Sequence, residues 1–165
     1  MYVRMKVAGI AIDPVINTPI VILKDLEEHS VVPIWIGILE ASAIAAELEK
    51  VELTRPLTHV LLRNTLDSLK VTLDKIEIND LKDNTFYATL FLNNGKKVLE
   101  IDARPSDAIA LSLNMGSNIY VKDEIIEKSV KVTLSDSDEQ SEFERKKWAE
   151  ILENLSEEDF GKYKM

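Results

Sequence analysis

The order in which two kinds of hydrophobic pattern follow one another constrains this chain more than any other feature. Strand-like segments come first, at residues 2–12 (YVRMKVAGIAI), 20–24 (IVILK) and 31–36 (VVPIWI). Two helix-like segments follow, at 38–50 (ILEASAIAAELEK) and 57–69. A three-strand meander then runs from residue 71 to 102, a helix runs from Ser106 to near Gly116, and a short strand covers 118–122. Strands and helices grouped in this way predict an α+β fold. The expected architecture is a mixed, largely antiparallel sheet with three main helices and a C-terminal helical tail.

Local signals sharpen the pattern. Pro14 and Asn17–Thr18–Pro19 break the first strand, and Pro33 inside the third points to an edge strand or a bulge, because proline cannot donate to a ladder. The alanines at 41, 43, 45 and 46 let another backbone approach the first helix closely. Pro56 suits the start of the second helix, with Thr54 or Thr58 as its cap. Val71 and Leu73 are out of phase with Ile76 and Ile78, which a bulge near Asp74–Lys75 would repair. Asn93–Asn94–Gly95 is a hairpin turn. Ser106 is an N-cap candidate for the third helix and Gly116 its C-terminal stop. Beyond a polar linker at 135–140, Ser141-x-x-Glu144 is a capping box. Trp148, Ile151, Leu152 and Leu155 then share one helical face that must dock on something. The expected division is a domain at 1–134 and an acidic linker with an amphipathic tail at 135–165.

Charge and composition narrow the function classes. The net charge is −9, and it is unevenly spread. Residues 1–134 carry 15 Lys/Arg against 19 Asp/Glu, while 135–165 carry 5 against 10. No basic cluster exceeds the pair Lys96–Lys97 or the triplet Arg145–Lys146–Lys147, which argues against tight non-specific binding to a phosphate backbone. There is no cysteine, so thiol nucleophiles and thiolate metal sites are excluded. The longest apolar run is too short to span a bilayer and the N-terminus lacks a signal-peptide pattern, so the expected location is the cytoplasm, without a membrane. Lys and Glu dominate the charged residues and there is a single Gln, a usage that points to a hot-living source.

Three polar clusters interrupt the apolar pattern, each where a strand or loop feeds a helix. In Ile36-Gly37-x-x-Glu40-Ala41, Glu40 either complements the helix dipole or aims a carboxylate into a cleft for metal or acid/base use. In Arg55-Pro56-x-Thr58-His59, the helix start favours a neutral His59, which reads either as a structural histidine or as a general base. In Asp102-x-Arg104-Pro105-Ser106-Asp107, the carboxylates either serve the helix start and pair with Arg104, or bind metal while Arg104 grips a phosphate. Sparse carboxylates beside one histidine and two arginines suit phosphodiester hydrolysis with Mg²⁺ or Mn²⁺ held by oxygen ligands, and equally suit a salt-bridge network.

The series Pro33-Ile34-Trp35-Ile36-Gly37-x-x-Glu40-Ala41, Arg55-Pro56-Leu57-Thr58-His59, Phe86-Tyr87-Ala88 and Asp102-Ala103-Arg104-Pro105-Ser106-Asp107-Ala108 resembles the bifunctional nuclease family. The resemblance implies activity on DNA and RNA, a divalent-metal preference and a self-associating α+β domain, a dimer or trimer. The candidate set is Glu40, His59 and Asp107 as catalytic groups, Glu40, Asp102 and Asp107 as metal ligands, and Arg55 and Arg104 as substrate-binding groups. Val60 stands where many relatives carry an acid after Thr-His; were that acid needed to orient the histidine or hold a metal, this copy would be the weaker one. The competing expectation is a non-catalytic oligomeric scaffold or regulatory module, in which Arg104 pairs with Glu40 or Asp107.

Overall fold

A computed structural model describes residues 1–135. The elements in chain order are β1 (Tyr2–Ile12), β2 (Pro19–Asp25), β3 (Val31–Trp35), α1 (Ile38–Leu48), α2 (Thr58–Ser68), β4 (Thr72–Lys82), β5 (Thr85–Asn93), β6 (Val98–Ala103), α3 (Pro105–Met115), β7 (Asn118–Lys122) and α4 (Asp123–Ser135). The strands form one mixed sheet in the order β3-β2-β1-β7-β4-β5-β6. Every neighbouring pair is antiparallel except β4 and β7, so the expected α+β class and largely antiparallel sheet are what the fold shows. The short β7 joins two three-strand meanders, β1-β2-β3 and β4-β5-β6, into one surface.

The sequence signals explain much of the detail. β3, with Pro33, is an edge strand. The register of β4 against β5 shifts between Leu73 and Lys75, which puts Ile76 and Ile78 on the buried side with Leu73. A second shift, between Ile78 and Asp80, does the same for Leu81. Gly95 turns the β5–β6 hairpin at φ 80° and Gly116 ends α3 at φ 71°, a left-handed conformation that glycine takes without Cβ strain.

Three expectations are corrected. Ser106 does not cap α3; the helix begins at Pro105, Arg104 occupies the cap position, and the Ser106 side chain is buried inside the first turn. Proline has no N–H to leave unpaired, so it fits that first position better than an interior one. Neither Thr54 nor Thr58 caps α2, whose cap residue is Leu57. A fourth helix, α4, follows β7 without a break and packs against β3, β4 and β7. The expected tail helix around Ser141–Leu155 lies outside the described residues.

The core lies between the sheet and the layer formed by α1, α2 and α3. α3 is central: it packs on α1, on α2 and on β4, β5 and β7. α1 buries Ala41, Ile44 and Ala45, at i, i+3 and i+4, while α3 buries Ala108, Ile109, Ala110 and Leu111. Fully buried isoleucines such as Ile44 and Ile109 each contribute about 1.5–3 kcal/mol of apolar transfer. Two alanines serve another purpose: Ala43, three residues after Glu40 and four before Glu47, and Ala110, in the same relation to Asp107 and Asn114, put small side chains on the faces that carry the polar residues of both helices.

Candidate active site

Two polar clusters bridge α1 and α3. At the N-terminal ends of both helices, Arg104 Nη1 donates to Glu40 Oε1 at 2.8 Å, while Nε and Nη2 donate to the two Asp107 oxygens at 2.7 and 3.0 Å. Near the C-terminal ends, His59 Nε2 lies 2.6 Å from Glu47 Oε1, and Asn114 Nδ2 donates to the same oxygen at 2.9 Å. Glu40 and Glu47 are seven residues apart on α1, as are Asp107 and Asn114 on α3. Seven residues are close to two turns, so each pair shares a helix face about 10 Å apart along the axis. Because both helices meet in the same order at both levels, α1 and α3 run parallel.

The Arg104 cluster is open. Arg104 is 64% exposed and Asp107 56%, while Glu40 is partly covered. Its fork against Asp107, then its bond to Glu40, hold the guanidinium above its already high ordinary value, so it is charged at every working pH. Three of its five N–H donors are committed and two remain. Glu40 owes its pose to Gly37: a Cβ there would land on Glu40 Oε2.

The His59 cluster is drier. His59 is 9% exposed and Glu47 17%. A carboxylate oxygen accepts from a ring N–H, so the contact puts a proton on Nε2 and turns Nδ1 away from Glu47. Nδ1 has no hydrogen-bond partner among the described residues, and it is not sealed in, because the sole unpartnered buried side-chain atom among them is Asn114 Oδ1. The Asn114 amide cannot be turned round, since its oxygen would then face the Glu47 carboxylate. Glu47 and Asn114 are thus a support that fixes both the ring orientation and the tautomer of His59. Orientation comes from Glu47 on a neighbouring helix, so Val60 after the histidine does not deprive it of an acid.

The remaining candidates lie apart. Asp102 pairs with Thr89 in the β5–β6 ladder, next to Ala103, which pairs with the buried Ala88. Successive residues alternate sides, so Asp102 faces away from the helical layer that holds Glu40, His59 and Asp107. Arg55 is exposed in the loop between α1 and α2 and makes no ion pair among the described residues. Among the described residues, no three Asp, Glu or His side chains gather as a cation-holding group. Glu40 and Asp107 are both committed to Arg104. The donor set therefore does not fit a divalent ion in this arrangement.

The sequence reading missed Glu47 and Asn114. The signal was the i, i+7 spacing from Glu40 and from Asp107, which becomes meaningful only once α1 and α3 are known to lie side by side.

Known proteins match this chain along its length. Two curated relatives, uncharacterized proteins of Mycobacterium tuberculosis strains CDC 1551 / Oshkosh and H37Rv, are each 37% identical to it over 162 residues, covering 95% of this chain and 97% of the relative. The family profile described as the bifunctional nuclease domain matches residues 21–133, from β2 into α4 and across both polar clusters. On that match, which takes in more than half of the sequence, the chain belongs to the bifunctional nuclease domain family.

Proposed function

We propose that the domain hydrolyses phosphodiester bonds in nucleic acid, with His59 as general base, Glu47 and Asn114 as its positioning residues, and Arg104 as the phosphate anchor. The observation that carries this reading is the 2.6 Å contact between His59 Nε2 and Glu47, which leaves Nδ1 as the unpartnered nitrogen of that ring among the described residues. Nδ1 takes a proton from water, the water oxygen bonds to phosphorus, and the P–O bond to the departing oxygen breaks, that oxygen taking a proton from solvent. The two uncommitted N–H groups of Arg104 donate to non-bridging oxygens. A base, an attacking water and a phosphate laid end to end on a guanidinium need about 10 Å, from a hydrogen bond of ~3 Å, a near-attack distance of ~3.5 Å and a phosphate contact of ~4 Å. The rise of two helical turns between the levels of the two clusters is of the same order.

The test is cleavage of single-stranded DNA and RNA by purified protein, with Mg²⁺, with Mn²⁺ and with EDTA. His59→Ala should lower the rate by roughly 10²–10⁴-fold. Turnover that survives His59→Ala removes the site assignment, and no turnover under any condition removes the function. Activity that needs the added ion would assign it a role with ligands beyond this arrangement.

A second reading, a self-associating scaffold, is favoured by Ile38 and Leu39, which are 57% and 80% exposed beside Glu40 at the start of α1. Leu39→Glu should then lower the mass measured by light scattering. An unchanged mass in that variant removes this surface from any assembly.

A further inference from the structure

The sheet face turned away from α3 holds a cavity that the proposed hydrolysis does not use. On β5, Ala88, Leu90 and Leu92 are buried towards the helices, so Phe91 points to the other side. Asn118, Lys75, Phe91 and Glu100 are successive cross-strand partners on β7, β4, β5 and β6, which makes them one row across four strands. With Tyr120 and Asp74 they line a cavity of ≈ 380 Å³, and Val98 borders it at the hairpin end. A volume of this size suits one small organic ring system.

The chemistry of the lining is specific. Phe91 and Tyr120 supply ring surfaces. Lys75 Nζ lies 4.5 Å from the Phe91 centroid and 5.8 Å from that of Tyr120, and its charge is already answered by Glu77 at 2.5 Å. Neither Glu100 nor Asn118 commits its side chain to a hydrogen bond among the described residues. A free carboxylate accepts from an exocyclic amine, and an amide can both donate and accept along a base edge. Phosphate is disfavoured inside, beside Asp74 and Glu100. Just past the Val98 border, Lys96 and Lys97 stand exposed in the hairpin turn; their backbone N–H groups donate to Asn94 Oδ1, the Lys97 carbonyl accepts from Asn94 N–H, and neither ammonium group makes a hydrogen bond or ion pair among the described residues. So the cavity takes a neutral ring bearing an amine, and the adjoining turn takes an anion.

The path onward is short. β6 is the edge strand at this end of the sheet, and it carries Glu100 on the cavity side and ends just before Arg104 on the helical side. Four extended residues span ~13 Å. A duplex, with a persistence length of ~150 base pairs, cannot turn round such an edge, whereas a single strand can.

We propose that this cavity is a nucleobase subsite for single-stranded nucleic acid: an amino-bearing base, cytosine or adenine, sits against Phe91 and Tyr120, an adjacent phosphate meets Lys96 and Lys97, and the strand crosses β6 towards Arg104. The proposal rests on the nucleic-acid reading given above.

The test is fluorescence anisotropy of the full chain with labelled oligo-dC, oligo-dA, oligo-dT and a hairpin duplex, in the His59→Ala background to prevent turnover. Oligo-dC or oligo-dA should bind more tightly than oligo-dT, and the duplex most weakly. Phe91→Ala should weaken single-strand binding roughly 5-fold to 100-fold, the range for one stacked base. Because Phe91 is partly buried, two surface variants keep the test open should that one fail to fold. Glu100→Gln should remove the preference over oligo-dT, and Lys96→Ala with Lys97→Ala should weaken every single strand and flatten the salt dependence. Unchanged binding in both surface variants, duplex binding as tight as single-strand binding, or no binding at all overturns the subsite. Cleavage by wild type with indifferent surface variants would sink the subsite and leave the hydrolytic reading standing. Base-selective binding without any cleavage by wild type would do the reverse.

Discussion

Glu47 offers the sharpest perturbation, because one oxygen atom serves two buried donors. Glu47→Ala leaves His59 Nε2–H and Asn114 Nδ2–H without an acceptor in a region where His59 is 9% exposed. Each interior donor left unpaired costs about 1–3 kcal/mol, and the two share one partner, so the total should be ~2–4 kcal/mol and not the full sum. Glu47→Gln keeps an oxygen of nearly the same reach and loses only the charge, and should cost ~1 kcal/mol. Urea unfolding with an unchanged slope reads both. The exposed pair Arg63–Asp67 is the internal control: breaking it with Arg63→Ala should cost under about 1 kcal/mol. On cleavage, Glu47→Gln should approach the loss seen in His59→Ala, while adding it to His59→Ala should change nothing more, because Glu47 acts only through the ring it holds. A Glu47→Ala cost no larger than the Arg63 control would refute the buried contact. A further fall in rate in the double variant would refute the positioning role.

Other outcomes follow from single contacts. Gly37→Ala has acceptable backbone angles (φ −72°, ψ 159°) but places its methyl on the Glu40 carboxylate, so Arg104 should keep Asp107 and lose Glu40; stability should change by under about 1 kcal/mol, while the NMR signal of the Arg104 side chain moves. Lys70 ends the α2 region at φ 56° on the surface, so Lys70→Gly should stabilise by ~1 kcal/mol, and Gly116→Ala, at φ 71° with open space around it, should destabilise by a similar amount; thermal melts compare the two. In acid, the Lys6 bond to Glu28 and the Lys82 bond to Asp80 hold those carboxyls below their ordinary values of 4.5 and 3.8, so what they contribute is complete above those values and is lost as pH falls through the depressed ones. In base, burial and then Glu77 push the Tyr2 phenol above 10.0, so its contribution is complete below that value and fades as pH rises past it. What these three groups contribute is therefore constant between about pH 5 and 9, and a melt series whose stability rises as pH drops below about 4 would contradict the acid arm.

What the sequence showed, and what it withheld, divides along a physical line. Signals that depend on the chain's own backbone were legible: the broken phase at Asp74–Lys75, the proline in β3, the hairpin at Asn93–Gly95 and the left-handed stop at Gly116 all match the fold. α4 was missed because it continues from β7 with neither glycine nor proline between them; the acids Asp123 and Glu124 and the spacing of Ile125, Ile126 and Ser129 were its only marks. At the site, Arg104 was expected to pair with Glu40 or Asp107, and it pairs with both. Glu47, at the end of an alanine-rich helix, was not singled out. Nothing local distinguishes it, since its role comes from α2 and α3 arriving on either side.

The alanines of α1 and α3 are what make the two clusters a single device. Helices lined with Leu or Ile pack at the far end of the usual 8–10 Å range, and small residues allow the near end. Side chains as short as Asn114 bridge to Glu47 only across a close contact. The same closeness sets how far Arg104, at the head of α3, must reach to Glu40 on α1. One interhelical distance therefore controls both the guanidinium and, through Glu47, the imidazole. Enlarging a buried alanine on the shared face, as in Ala110→Leu, three residues after Asp107 and four before Asn114, forces the helices apart by overpacking and loosens both levels together. If the histidine and the arginine work on one phosphate, that variant should lose more activity than its stability cost implies, because it spoils the base and the anchor in the same movement.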